Sequence, residues 1–125
     1  MFSHIMVGTN DVARAKKFYD ATLGALGVPE GTIDGERRVF YRTPAGTFVV
    51  TKPINGEPAT AANGGTVGFA CTTPEQANAW HAAGLANGGE ACEDPPGPRD
   101  GPMKLYLAYL RDPDGNKLCA LHFMG

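Results

Sequence analysis

The chain has 125 residues, 42% of them hydrophobic, with 11 Lys and Arg against 13 Asp and Glu for a net charge of −2. That length suffices for one domain with its own core, and the near-neutral charge without a basic block excludes the usual footprint of a nucleic-acid binder. The longest apolar run, "LYLAYL", falls far short of the roughly 20 residues a membrane-spanning helix needs. No cationic segment followed by an apolar stretch opens the chain. Cys71, Cys92 and Cys119 are widely spaced and include no C-x-x-C. An odd, scattered set excludes a complete disulfide framework and a self-contained zinc knuckle, so a reduced, cytoplasmic protein is expected.

In chain order, "FSHIMVGTND" (2–11) alternates like a strand and runs into a helix start that Thr9 or Asn10 is placed to cap. Val12, Ala15, Tyr19, Leu23 and Leu26, with Phe18 beside them, recur at the three-to-four spacing of a core-facing stripe and predict a helix over about 11–25. A Gly- and Pro-containing loop then leads into strands joined by "RTPAG" (42–46), in which Pro sets φ and Gly supplies the left-handed position. "PINGEPATAANGG" (53–65) has the composition of a linker. "TVGFACTTPEQ" (66–76) repeats the strand-into-helix pattern, with Thr73 as N-cap, Pro74 in the first helical position and Gln76 completing a capping box. The second helix, over about 74–84, is Ala-rich and anchored by Ala77 and Trp80. "CEDPPGPRDGP" (92–102) reads as an extended, exposed connection of the kind that also forms lids. In "YLRDPDGNKLCALHF" (109–123), a strand, a tight turn and a strand follow one another, and "RDPDG" is a near-copy of "RTPAG".

The same order therefore occurs twice: strand, helix, then two or three strands. Two βαβββ modules are expected, over 1–53 and 66–125 with 54–65 between them, forming a single α+β domain with helices on one face of antiparallel-rich sheets. Strand alternation sends Ile5 and Val7 under the first helix and Phe2, His4 and Met6 to the opposite, concave face. In the second module Val67, Phe69 and Cys71 form the helix-side set and Thr66, Gly68 and Ala70 the other. Cys119 and His122 stand three apart on a strand, so they point to opposite faces and cannot chelate one ion together. His122 is expected at an edge or facing solvent, and His81 at the surface of helix two or half-buried there.

The opening "SHIMVGTNDVARAKKFYDATLGALGV", with its His-x-x-V and A-x-x-F-Y-x-x-x-L-G, and the closing D-P-D-G-N of "YLRDPDGNKLCALHF" carry a resemblance that covers nearly the whole chain. The sequence resembles the glyoxalase/bleomycin resistance/dioxygenase superfamily, also called the vicinal oxygen chelate superfamily. That resemblance implies paired βαβββ modules curving into a U-shaped sheet with helices on its convex face, whose concave side holds a divalent metal and a small substrate. It further implies one metal ligand from the first strand and one from the last strand of each module. Carried onto this chain, those positions fall on His4, on Val49 or Val50, on Gly68 and on Cys119. Only His4 is a ligand type the family uses there. A Cys119 thiolate could join it on zinc, but two protein ligands fall short of the three usual in catalytic sites. The metal site is therefore expected to be degenerate and no cofactor is expected, with Zn or Ni as the remaining divalent candidates.

The residues expected near the concave face are His4, Tyr41, Lys52, Tyr106 and Cys119. His4 could serve as a base, and Cys119 as a nucleophile if a partner lowers its pKa. Tyr41, Lys52, Gly68, Arg99 and Tyr106 are the candidates for ligand contact, with Lys52 and Arg99 suited to an anionic group. Three readings follow: a glyoxalase I-like lyase working without the usual metal ligands, a non-catalytic protein that sequesters an antibiotic-type small molecule, and a purely structural or regulatory dimer. An apolar, aromatic pocket favours sequestration. The superfamily resemblance also implies a homodimer whose interface borders the pocket.

Overall fold

The structure, a computed structural model, describes residues 1–125. Its first module comprises β1 (His4–Gly8), α1 (Val12–Gly24), β2 (Thr32–Asp34), β3 (Arg38–Thr43) and β4 (Gly46–Thr51). The second comprises β5 (Val67–Ala70), α2 (Pro74–Ala86), β6 (Glu90–Ala91), β7 (Gly97–Arg99), β8 (Leu105–Arg111) and β9 (Lys117–Phe123). The expected α+β duplication is thus present, with one difference in the second half. Two short strands, β6 and β7, both pair with β8 where the first module uses the single strand β2. Part of the proline-rich stretch over 92–102 is therefore strand, because Gly97–Arg99 lie against Leu105–Leu107.

Each sheet is mixed. β1 runs parallel to β4, and β4, β3 and β2 follow antiparallel, while β5 runs parallel to β9, which pairs antiparallel with β8. The parallel pairs arise because a helix crosses over between the first and last strand of each module. The two sheets share no strand pairing, so β1 and β5 are both free edges.

Local chemistry explains the helix ends. Asp11 caps α1 by accepting from the Arg14 N–H at 3.0 Å. The expected Thr9 and Asn10 have other partners: Thr9 donates to Asp114 at 2.6 Å, and Asn10 bonds Asp114 and the Ala59 backbone. Thr73 caps α2 as expected, accepting from Gln76 N–H at 3.1 Å, with Pro74 at the start of the helix. The reciprocal arm of the box reaches one residue further back, as Gln76 Oε1 accepts from the Thr72 backbone at 2.9 Å.

Both modules bury the same core. Phe18, Tyr19 and Leu23 from α1, Val39, Tyr41, Phe48 and Val50 from sheet one, and Trp80, Leu110, Leu118 and Ala120 from the second module belong to one buried cluster. Phe48 meets Phe69 across the modules edge-to-face, with ring centroids 5.2 Å apart. Gly84 of α2 lets that helix close on α1 and on β8, because a Cβ there would stand 2.3 Å from Leu110 and 3.3 Å from Phe18 of α1. Burying a side chain of the Val, Leu or Phe type contributes about 1.5–3 kcal/mol, so the shared cluster supplies the main cohesion.

A buried polar joint accompanies it. Tyr19 donates to Asp112 Oδ2 at 2.5 Å. Asp112 also accepts from the Asn116 side chain and from the backbone N–H groups of Asp114 and Asn116, each at 2.9 Å. Asn116 in turn donates to the Gly8 carbonyl at 2.9 Å. The turn between β8 and β9 is thereby locked onto the end of β1, and Gly115 (φ 91°) supplies its left-handed residue. Burial pushes the Asp112 carboxyl above its usual range, and the hydrogen bonds from Tyr19 and Asn116 only partly pull it back.

Removing the Tyr19 hydroxyl in Tyr19→Phe leaves a buried acceptor one donor short and should cost about 1–3 kcal/mol in urea unfolding. The raised Asp112 pKa also sets a pH dependence. Between its ordinary value and its raised folded value the native state holds a proton that the unfolded chain has released, so stability falls as pH rises through that window. The stability difference between wild type and an Asp112→Asn variant should therefore shrink as pH is raised from about 3.8, as followed by denaturant midpoints at successive pH values.

Candidate functional site

The strand register decides which expected residues can meet a ligand. On sheet one, Ile5, Phe48 and Tyr41 stand in one cross-strand row, and His4, Thr47 and Arg42 in the next. Ile5, Phe48 and Tyr41 face the helices, so His4 and Met6 lie on the opposite, outer face as alternation required. Val49 pairs with Met6 and thus shares the outer face with His4, whereas Val50 is under the helix. On sheet two, Gly68 pairs with Cys119, and a Cβ on Gly68 would stand 3.2 Å from the Cys119 sulfur.

Two expected face assignments are overturned. Tyr41 belongs to the core: it is buried, its ring packs 6.2 Å from that of Tyr19, and its hydroxyl donates to Asp20 Oδ1 at 2.8 Å. Burial and that hydrogen bond push its pKa up, so it is a fixed neutral phenol. Tyr106 also turns to the helix side, where its hydroxyl donates to Asn78 of α2 at 2.7 Å. In both cases an aromatic strand neighbour, Phe40 or Tyr109, stands on the outer face instead. His122, expected at an edge, is half-buried on the helix side with Nδ1 3.1 Å from the Cys71 carbonyl oxygen.

A cleft of about 600 Å³ is lined by His4 and Ile5 of β1, by Val67, Gly68, Phe69 and Ala70 of β5, and by Tyr41, Phe48, Leu23 and Leu26 behind them. It opens between the two free edge strands and reaches residues from both faces of each. Twelve of its 18 lining residues are hydrophobic, so burial of an apolar body is what it does best. His4 and Gly68 are brought together here, and Tyr41 contributes its ring from the core side.

The remaining candidates stand apart. Lys52 is exposed one residue past β4, at the end of the strand away from His4, and lines no part of the cleft. Arg99 donates to the carbonyls of Gly97 and Asp94 at 2.9 and 3.0 Å and lies 5.9 Å from the Tyr109 ring, tied within its own segment. Cys119 is buried and does not line the cleft with His4. Burial pushes its thiol pKa up, with Lys117 the one cation pulling it down. An apolar thiol of this kind is a weak nucleophile.

The four positions at which a metal ligand was expected carry an imidazole, an isopropyl group, a hydrogen and a buried thiol, at His4, Val49, Gly68 and Cys119. No group of three or more His, Cys, Asp or Glu is arranged to hold a metal ion. A divalent cation needs at least three protein donors for a catalytic site, so these side chains do not fit one. Sequence reasoning missed a second set on the outer face of sheet one, Arg38, Phe40 and Arg42, which with His4, Met6, Thr47 and Val49 line a groove of about 260 Å³. The signal was the alternation in "RVFYR", legible only once Val39 and Tyr41 are known to face the helix.

No helix is long and apolar enough to cross a membrane. The chain is 66% identical to a glyoxalase/bleomycin resistance protein from Albidiferax ferrireducens whose crystal structure matches it with a TM-score of 0.95, over 98% of each chain. It also matches a glyoxalase-related enzyme from Fulvimarina pelagi at 15% identity and TM-score 0.75, over 98% of this chain and 87% of that one. A lactoylglutathione lyase from Agrobacterium tumefaciens matches at 19% identity and TM-score 0.68, over 98% and 92%. At such low identity these last two likenesses show the fold alone. No curated protein matches the chain. The family model for the glyoxalase/bleomycin resistance protein/dioxygenase superfamily matches residues 1–120, and the chain belongs to that superfamily.

Proposed function

We propose that this protein binds a small, largely apolar molecule in the cleft between β1 and β5 and sequesters it without turning it over. The single observation that carries this reading is the cleft's composition: an open, mainly apolar wall in which His4 is the only imidazole, with no carboxylate or thiol among the lining residues. No Lys or Arg lines the cleft with His4, the neighbouring Arg38 and Arg42 belonging to the groove on the outer face of sheet one. A lyase stabilising an enediolate needs a cation or several convergent donors at the developing negative charge within the cleft itself. The glyoxalase/bleomycin resistance name of the 66%-identical protein is compatible with this reading, and so is a homodimer. Phe2 and Met6, exposed beside the cleft mouth, offer a second copy an apolar surface. The competing lyase reading draws on the fold of the Agrobacterium tumefaciens enzyme and on His4.

A neutral bicyclic aromatic such as 2-naphthol should raise the melting temperature in a concentration-dependent way, by the equivalent of about 2.7 kcal/mol at a hundredfold excess over Kd. Ala70→Trp, which places an indole at an exposed position in the cleft wall, should abolish that shift while leaving the unliganded protein folded. Turnover of the methylglyoxal–glutathione hemithioacetal, with or without added Zn²⁺ or Ni²⁺, would replace sequestration by the lyase reading.

The thiols give an independent check. Cys71 and Cys119 are buried with raised pKa values and Cys92 is half-buried, so one thiol should react with a disulfide reagent near pH 8 and two only after denaturation. Rapid modification of Cys119 in the native protein, read by peptide mass spectrometry, would reopen nucleophilic catalysis.

A further inference from the structure

We infer that the groove on the outer face of sheet one is an anion subsite that takes the carboxylate of a small organic acid. It lies beside the cleft and shares His4 and Thr47 with it, but the subsite stands whether or not the cleft holds an apolar ligand.

Three adjacent strands align its polar groups. Arg42 on β3 pairs with Thr47 on β4, which pairs with His4 on β1, so guanidinium, hydroxyl and imidazole stand in one row. With strands about 4.8 Å apart the row spans about 10 Å between its outer Cα atoms, a width that long side chains can close upon a carboxylate. The next row, Phe40, Val49 and Met6, is apolar; Val49 is fully buried at its centre, so Phe40 and the exposed Met6 are the surface it offers the body of the ligand.

The charges are poised for an incoming anion. Arg42 joins none of the ion pairs of the chain. Its guanidinium carbon lies 4.3 Å from the Phe40 ring centroid, and this cation–π contact holds the planar fork in place before a ligand arrives. Arg38, beyond the Phe40 row, is already engaged: its Nε forms an ion pair with Asp34 Oδ2 at 3.6 Å, though without a hydrogen bond, which leaves Arg42 as the uncommitted cation of the groove. Ser3 occupies Nδ1 of His4 at 2.9 Å, which leaves Nε2 for the ligand. A planar carboxylate suits a guanidinium fork, and the apolar floor selects an organic acid over a bare inorganic anion.

Titration of the whole protein with benzoate, benzamide and inorganic phosphate, followed by backbone amide NMR, tests this. Benzoate should shift the Arg42, Thr47, His4 and Met6 signals along a saturable curve, while benzamide and phosphate bind about tenfold more weakly or worse. Arg42→Gln, an exposed strand position, should weaken benzoate by about tenfold, the loss expected for one charge-assisted contact, with Arg42→Lys between the two. The 2-naphthol melting shift should survive Arg42→Gln, so failure of the cleft reading and failure of the subsite give different results. Equal binding of benzoate and benzamide, phosphate as tight as benzoate, or an unchanged Arg42→Gln affinity would each overturn the inference. So would groove signals that respond to protein concentration and not to benzoate, which would make this face a contact between copies of the chain.

Discussion

The hydrogen bond from Tyr19 to Asp112 joins the first helix of one module to the last turn of the other, and the architecture follows from that joint. Each module alone offers one helix and a small sheet, which bury too little apolar area to offset chain entropy. By sharing Phe18, Tyr19, Phe48, Trp80 and Leu110 in one cluster the two halves reach the size of a stable core. The polar joint makes the arrangement specific: a carboxylate with four donors tolerates no shift of the turn, and Asn116 carries the constraint onto the carbonyl of Gly8 at the end of β1.

Fixing the modules through their helices leaves their sheets unjoined. β1 and β5 are edge strands with no partner on their outer side, and unpaired edges are normally shielded or occupied. Here the gap between them is the cleft, its depth set by Phe48 and Phe69, which touch at its base, and by Tyr41, which cannot swing out because Asp20 holds its hydroxyl. Asp20 is itself held. Burial would raise its carboxyl, but hydrogen bonds from Lys16, the Gly31 N–H and Tyr41 together leave it below its ordinary range, so it stays ionised and keeps its grip. The cleft wall is therefore rigid on the module-one side, which suits a site that binds by burial.

The duplication, both helices, the Thr73 cap and the faces of β1 and β5 were legible because each depends on local chemistry or strict alternation along a single strand. What depends on pairing between strands was not. In "RVFYR" both faces carry an aromatic residue, so Tyr41 and Phe40 are interchangeable until the pairing of Tyr41 with Phe48 is known. The same ambiguity in "LYLAYL" hid the turn of Tyr106 towards Asn78. The cap of α1 was missed for a different reason. Thr9 and Asn10 are good cap residues, but Asp114, far along the chain, recruits both and leaves Asp11 to serve. The outer-face groove depended on both kinds of knowledge and left no separate trace in the sequence.

Charge completes the relation between the family pattern and this chain. A site for a divalent cation must gather negative or strongly donating ligands and exclude other cations from the same space. On sheet one the position beside His4 that would hold such a donor is Val49, and the neighbouring outer-face residues are Arg42 and Arg38, with Asp34 as the single carboxylate, already facing Arg38. A metal placed there would meet more positive than negative charge. The backbone that can present a ring of donors to a cation here presents cations to the solvent, on a chain whose overall charge is −2. The polarity of what the face can hold is reversed by side-chain content alone, with no change of fold.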